Sequence, residues 1–466
     1  MNHADARGPH IVIVGAGFGG LWAAKTLAPA NARITLIDKN NYHTFLPLLY
    51  QVAAAELEPE LIVQSIRRIV RGQRNLRVIM AEIQRIDLGA RVVYGNGQAI
   101  PYDYLIVALG STVNYFGTPG AAEHSFTLKS VDEGIALRNH ILSCVEKAAT
   151  LPADAVEERR RLLSFVIIGG GPTGVEYAGA LAELLYMPLS KDFPELNLRQ
   201  EARVILIEAL DDLLQAVGGG DYARERLQAM GVEVRLGTKV TAITERAVRL
   251  ADGTELATAS AVWTAGVRGA TLTDDLPLPR VRGGRIPVRP TLQTPEDDRV
   301  FVIGDLAYLE QDGSMLPGVA QVAMQQGVHA AHNVMRQVAG KSLLPFQYKD
   351  KGAMATIGRN AAVARFGDRL YTGFVAWVMW LVVHVFFLVG FRNRITVLLN
   401  WAWNYVFYER VVRLILPNMA PTAPQAPATA PAVTNGAAHM ASANGRHEAA
   451  LTGEGAAPAV QSADRP

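Results

Sequence analysis

The sequence predicts an α/β protein with two Rossmann-like dinucleotide-binding domains and a C-terminal membrane-anchoring α region. Three observations carry that prediction. A short apolar strand, a glycine-rich turn and a helical stretch occupy residues 11–28, and the same pattern returns at 165–186. Each repeat is followed by a second strand that ends on an acid, Asp38 in one and Glu208 in the other. Far downstream, residues 374–391 are continuously apolar apart from His384. A strand–helix–strand unit with such a turn is the building block of a parallel nucleotide-binding sheet, and two of them about 150 residues apart form an internal repeat.

Length and composition set the bounds. At 466 residues the chain exceeds one ordinary core, so two or three domains are expected. Half of it is apolar and 19% is charged, which easily supplies a large core. A formal charge of +2 provides no basic field for a nucleic acid, and no such partner is expected. Cys144 is the only cysteine, which excludes a disulfide framework, a thiolate metal cluster and a redox-active cysteine pair. No metal site is expected. Residues 1–10 lack the apolar stretch of a secretory signal, so a reducing cytosolic setting is expected.

Residues 11–14 (IVIV) read as a buried strand running into Gly15, with a helix from Phe18 to about Ala28 and a strand at 34–37 after it. In the second unit the strand is 165–168, the turn 169–174, the helix 175–186 and the next strand 204–207. The polar stretch 187–201 reads as a surface insertion. Two further buried strands, YLIVALG at 104–110 and AVWTAG at 261–266, end in Gly110 and Gly266, and another, 300–303, ends in Gly304-Asp305. Residues 345–371 look like an α+β extension. Beyond Pro417 the chain is Ala/Pro-rich and has no aromatic residue, so disorder is expected. The expected domains are 8–120 with 286–345 for FAD, 121–285 for NADH, 346–418 for the extension with its anchoring helices, and 419–466 for the tail.

Chemistry enters at the glycines. In GAGFGG, Gly15 permits the tight turn, Gly17 lets backbone approach a pyrophosphate, and Gly20 lets the helix pack closely on the sheet. The helix N-terminus then offers N–H groups and partial positive charge to the phosphates. Gly169, Gly171 and Gly174 repeat the arrangement in GGGPTG, with Glu208 as the terminal acid. An acid there binds ribose hydroxyls and repels a 2′-phosphate, which favours NADH over NADPH. The Gly304-Asp305 corner assigns FAD to the first unit: the carboxylate suits ribitol hydroxyls, and a helix starting near Gly318 would aim its dipole at the flavin through residues such as Ala320. For Asp305 alone, a simple capping or turn role is an equal alternative. Lys39 and the glycines Gly110 and Gly266 complete the expected cofactor contacts.

The stretches GAGFGG, IDKNNYHTFLPLLYQVA (37–53), GGGPTGVE (169–176), FVIGDLA (301–307), AQVAMQQG (320–327) and YKDKGAMATIGR (348–359) together resemble the type II NADH:quinone oxidoreductases. These are non-pumping, single-subunit flavoenzymes. The resemblance covers residues 11–416 and implies that hydride passes from NADH to FAD and two electrons then pass to a quinone, ubiquinone or menaquinone. It places Glu176 between nicotinamide and flavin, in quinone or proton handling; a helix-terminal acid is the alternative. It places Gln321 and Gln325, four apart on one helix face, beside the flavin at the quinone tunnel. Lys351 matches a lysine near the same tunnel, where an ammonium would polarise a quinone oxygen or pair with Glu176; an ordinary surface lysine is the alternative. The missing cysteines set the chain apart from disulfide and sulfide:quinone reductases.

The apolar run of 18 residues would be about 27 Å long as a helix, near the length of a membrane span. Thr396, Asn400 and Asn404 then recur every four residues as a narrow polar stripe. Trp377, Trp380, Trp401 and Trp403 suit lipid headgroups, and Arg392, Arg394, Arg410 and Arg413 suit anionic lipid. Together these residues predict an interfacial hairpin over 374–416, at the cytoplasmic face of a bacterial inner membrane, peripheral or monotopic. A core or dimerisation helix pair is the alternative, and a homodimer is possible.

Overall fold

The computed structural model describes residues 8–152, 154–407 and 412–415. The expected disorder of 419–466 falls outside them. Two five-stranded parallel sheets dominate the chain. The first has the order Val300–Val302, Tyr104–Val107, His10–Val14, Arg33–Asp38, Leu76–Met80. The second runs Ser125–Phe126, Ser260–Trp263, Ser164–Ile168, Arg203–Ile207, Val232–Arg235. Their central strands are sealed from solvent on both faces, which is why they read as unbroken apolar runs rather than alternating ones.

Each central strand delivers its glycine turn to a helix, Phe18–Thr26 in one sheet and Pro172–Leu184 in the other. The second helix starts three residues earlier than read from sequence, because Pro172 is tolerated in a first turn where its missing N–H has no helical partner anyway. The helix Ala320–Val338 packs against Phe18–Thr26 at backbone contact: a Cβ on Gly327 would lie 2.2 Å from the Gly19 carbonyl oxygen. Glycines at this crossing therefore bring the start of Ala320–Val338 to the first glycine turn. The strands Ser111–Val113 and Val267–Gly269 pair antiparallel and tie the ends of the two small-residue strands together.

Three regions differ from expectation. The insertion at 187–201 is not simply a surface loop: Leu189, Leu196 and Leu198 are buried, so it is pinned to the core by three leucines. Residues 345–371 contain no helix. They build a three-stranded antiparallel sheet, Ala353–Thr356, Ala362–Phe366 and Arg369–Thr372, whose tight turns carry Asn360 and Gly367 at positive φ. The apolar run ends as a 15-residue helix, Gly373–Phe387, about 22 Å long, because Leu388 turns extended and Gly390 adopts φ +99°. Among the described residues, no helix is long and apolar enough to cross a membrane.

The second helix of the hairpin, Phe391–Phe407, sets Asn393 and Asn404 against the rest of the protein. Asn393 Nδ2 donates to the Leu61 and Val63 carbonyls at 3.1 and 3.0 Å, and Asn404 Nδ2 donates to the Glu56 carbonyl at 3.5 Å. Two of the four tryptophans also point inward. Trp380 is buried, and the Trp401 indole donates to Gln51 Oε1 at 3.0 Å. Val382, Phe386, Phe391, Leu398, Leu399 and Val406 are left on the outside. Arg413 pairs with Asp192 at 3.1 Å, and Arg410 lies outside the described residues.

Candidate active site

The first cradle is built by contrast among its glycines. Gly15 has φ +98°, and a Cβ on Gly20 would come within 1.8 Å of the Gly15 oxygen, so neither position accepts a side chain. Gly17 meets nothing within 4 Å. The space above it is therefore kept free for something other than protein, as a pyrophosphate requires. Asp38 braces the turn, accepting from the Ala16 N–H at 2.6 Å and the Asn40 N–H at 2.8 Å, and burial raises its pKa. Lys39 beside it is exposed. His43, in the 37–53 stretch, donates through Nδ1 to the Ala16 carbonyl at 3.0 Å and steadies the same loop, a structural role.

At the other end of this sheet, Gly304 holds φ +72° and its N–H donates to Gln326 Oε1 at 2.7 Å. Asp305 accepts from the Ser111 hydroxyl at 2.7 Å, and Lys129 Nζ donates to that hydroxyl at 3.3 Å. Burial lowers the Lys129 pKa, while Asp305 and Glu133 oppose the shift. The helix Ala320–Val338 starts behind Val319 with no side-chain cap, so Ala320 opens a run of N–H groups available to a ligand. Open space over Gly17, an acid at Asp38, a second acid at Asp305 and this uncapped terminus together fit the pyrophosphate, ribose, ribitol and ring of FAD.

The second cradle repeats the logic. Gly169 has φ +115°, a Cβ on Gly174 would lie 1.9 Å from the Gly169 oxygen, and Gly171 meets nothing within 4 Å. Glu208 accepts from the Gly170 N–H at 2.5 Å and the Leu210 N–H at 2.9 Å, at the position of a ribose acid. Gly110 and Gly266, at φ +69° and +73°, turn the chain at the two strand ends that face one another. At Gly266 a Cβ would strike the Phe116 ring.

Glu176 is buried below this turn. Burial raises its pKa to about 8, opposed by the Thr356 N–H, which donates to Oε1 at 3.3 Å, and by the nearby Trp380 indole. The indole Nε1–H itself completes no hydrogen bond of normal geometry. Glu176 is thus protonated at neutral pH. It borders a cavity of about 80 Å³ with Gln51, Glu183, Thr356, Trp380 and Trp401. Gln51 donates to the Tyr50 hydroxyl at 3.0 Å, so the YQ pair of the N-terminal stretch forms part of this wall. His384 stacks on Trp380 at 4.0 Å, and burial depresses its pKa to about 4, which leaves it neutral in an apolar setting.

Gln321 and Gln325 share a helix face, as expected, but do different work. Gln321 donates to the Gly352 carbonyl at 3.1 Å, and its buried Oε1 has no partner. Gln325 is spent on the backbone of Lys349, bonding its carbonyl at 3.0 Å and its N–H at 3.1 Å. Gln326, not singled out from sequence, is the buried member of the trio and holds Gly304. Lys351 lines a separate cavity of about 340 Å³ with Gln321, Gln325, Trp22, Phe346 and Phe387. It does not pair with Glu176. The strand Ala353–Thr356, about 13 Å long, separates the Gly352 contact of Gln321 from the Thr356 contact of Glu176.

The chain matches the family model for pyridine nucleotide-disulphide oxidoreductases over residues 9–327 and the NDH2 C-terminal domain over residues 351–409. It is 40% identical over 421 residues to a type II NADH:quinone oxidoreductase of Mycobacterium tuberculosis, covering 87% of this chain and 89% of that one. The chain belongs to the type II NADH:quinone oxidoreductases. A Staphylococcus haemolyticus member is 31% identical, with 78% and 91% of the two chains covered. In fold the chain is similar to NDH2 of Plasmodium falciparum in complex with NADH, at a TM-score of 0.80 and 19% identity, covering 88% and 100%. As a type II enzyme it is an FAD-dependent NADH dehydrogenase that passes electrons to quinone without pumping protons. The disulfide chemistry in the first family's name has no counterpart here, since Cys144 is a single buried thiol.

Proposed function

We propose that residues 8–120 and 286–345 hold FAD, that 121–285 hold NADH, and that quinone enters from the membrane side through the 340 Å³ cavity. That cavity is the single observation that carries the quinone entry route. It joins Gln321, at the uncapped start of the flavin-side helix, to Phe387 at the end of the hairpin's first helix. Bound FAD would supply the redox centre between NADH and the acceptor. The two glycine turns would hold both pyrophosphates, with Gly110 and Gly266 at the junction between the cradles. The second Nε2–H of Gln321 offers an uncharged donor to a quinone oxygen and its free Oε1 an acceptor for a quinol hydroxyl, while the protonated Glu176 carboxyl is a buried proton store beside the second cradle. Lys351 sits at the cavity wall, where its ammonium favours the developing negative charge of a reduced quinone; Gln325 shapes that wall by clamping Lys349. Purified protein given NADH and a short-chain quinone should form quinol; none formed would refute the reading.

Glu208 supplies the nicotinamide preference. Glu208→Gln removes the charge that repels a 2′-phosphate while leaving an acceptor for Gly170 N–H. The ratio of kcat/KM for NADPH to that for NADH should rise by about tenfold or more, equivalent to about 1.4 kcal/mol. Steady-state rates with both nucleotides check this, and an unchanged ratio would remove Glu208 from the ribose site.

Membrane contact is assigned to the hairpin's outer face, at the cytoplasmic side of a bacterial inner membrane, with ubiquinone or menaquinone as acceptor. Leu399 is 64% exposed and Phe391 77%, on a surface that also carries Arg392 and Arg394, which is costly in water and favourable in a lipid interface. Leu398→Asp with Leu399→Asp should move the enzyme from the membrane pellet to the supernatant while activity with a water-soluble quinone stays intact. Continued sedimentation with membranes would place the anchor elsewhere.

A further inference from the structure

Between Glu60 and Glu82 the chain carries five arginines, Arg67, Arg68, Arg71, Arg74 and Arg77, and no acidic residue. All five are exposed, and none makes an ion pair among the described residues. Ile66 and Val70 are buried and Asn75 donates to the Leu27 and Ala30 carbonyls, so the segment is held in place by its apolar and amide residues while the guanidinium groups face out. Nothing in the dinucleotide cradles uses this charge.

Its position gives it a use. The hairpin turn is seated on the residues just before it: Asn393 Nδ2 bonds the Leu61 and Val63 carbonyls, and a Cβ on Gly390 would lie 3.5 Å from the Gln64 side chain. Arg67 and Arg68 come three and four residues after Gln64. They therefore stand within about 15 Å of the turn, even for fully extended chain. Phe386 and Phe391 flank that turn and are exposed, and Arg394 lies over the Phe386 ring at 6.0 Å. An exposed apolar edge thus lies within about 15 Å of Arg67 and Arg68, the first of five exposed arginines, in a different part of the chain, that make no ion pair among the described residues.

We propose that Arg67, Arg68, Arg71 and Arg74 form a headgroup-binding surface for anionic phospholipid, adjoining the apolar edge of the hairpin. The hairpin supplies apolar insertion, and the arginine surface supplies selectivity for anionic membranes and fixes which way the enzyme lies on them. Guanidinium groups suit phosphate oxygens by geometry as well as charge, and basic residues beside a membrane each add to its attraction within a Debye length. The proposal rests on the hairpin reading for its orientation, and the experiment separates the two.

The full-length FAD-loaded enzyme is sedimented with vesicles of phosphatidylcholine alone and with vesicles containing about one third phosphatidylglycerol. The wild type should partition about tenfold or more better onto the anionic vesicles, and added salt should erase the difference. A variant with Arg67, Arg68, Arg71 and Arg74 all changed to Ala should bind neutral vesicles like the wild type but lose the anionic preference. NADH-dependent reduction of a water-soluble quinone, unchanged in the variant, shows that it is folded. Equal partition of wild type and variant on anionic vesicles would overturn the proposal. Leu398→Asp with Leu399→Asp separates the hairpin: loss of neutral-vesicle binding supports it, whereas a wild type that ignores neutral vesicles refutes the hairpin alone.

Discussion

Gly171→Val is expected to yield a folded protein that keeps its FAD and loses at least about a hundredfold in kcat/KM for NADH, roughly 2.7 kcal/mol of transition-state binding. The reason lies in the difference between neighbouring glycines. A side chain at Gly174 would collide with the Gly169 carbonyl at 1.9 Å, so its replacement damages the fold itself. Gly171 has φ −73° and ψ −179°, a conformation open to valine, and a Cβ there meets no protein atom within 4 Å. Only a bound ligand would be struck. Flavin absorbance of the purified variant and stopped-flow reduction by NADH separate the two effects. The partner substitution Gly17→Val should do the reverse and give a folded apoprotein. If Gly171→Val is reduced by NADH at the wild-type rate, the second turn does not hold the pyrophosphate.

Glu176→Gln is expected to change both pH behaviour and turnover. Burial lifts the Glu176 pKa from 4.5 to about 8, so the carboxyl is protonated through the neutral range. Because the folded pKa lies above the unfolded one, the stability it contributes is complete below about 4.5 and is lost as pH rises through about 8. The full difference is on the order of 5 kcal/mol. Glutamine cannot ionise and escapes that loss. The variant should therefore melt with the wild type near pH 5 and above it near pH 9, read by thermal denaturation across that range. If Glu176 delivers a proton, quinone turnover of the wild type should also fall as pH passes about 8. The variant should lack that limb and be slower by about a hundredfold at neutral pH. Parallel melting curves at both ends of the range would mean that Glu176 ionises normally.

The two sheets are legible in the sequence because their strands are sealed on both faces and end in turns whose glycines are required by backbone contact. Asp38 and Glu208 are legible because each closes the strand that follows a glycine turn and its helix, and Asp305 because it follows Gly304 at the end of another parallel strand. The environment of Glu176 is not. Its buried state depends on Thr356 and Trp380, which are 180 and 204 residues away in the chain, and no local pattern reports such a contact. Of the two roles open to Lys351, pairing with Glu176 is ruled out because a whole strand intervenes. Helical spacing favours Gln325 over Gln326, since it marks a shared face but not which face meets the sheet. The spacing of the hairpin's polar stripe is legible in the sequence, but what its residues meet is not. Asn393 and Asn404 donate from their side chains to backbone carbonyls of the protein, and the apolar side faces out. Lys129 carries no periodic or motif signal and emerges only from the packing of separate segments around Asp305.

Two cofactor cradles are proposed to work in sequence, NADH at 121–285 emptying into FAD at 8–120 and 286–345, and from there into quinone. Anaerobic titration of the bound flavin tests this most directly. Stoichiometric NADH should bleach the oxidised flavin spectrum, NADPH should do so far more slowly, and a short-chain quinone added next should restore the spectrum with one quinol formed per flavin. Flavin that NADH cannot reduce, or that stays reduced when quinone is added, would contradict this sequence of transfers.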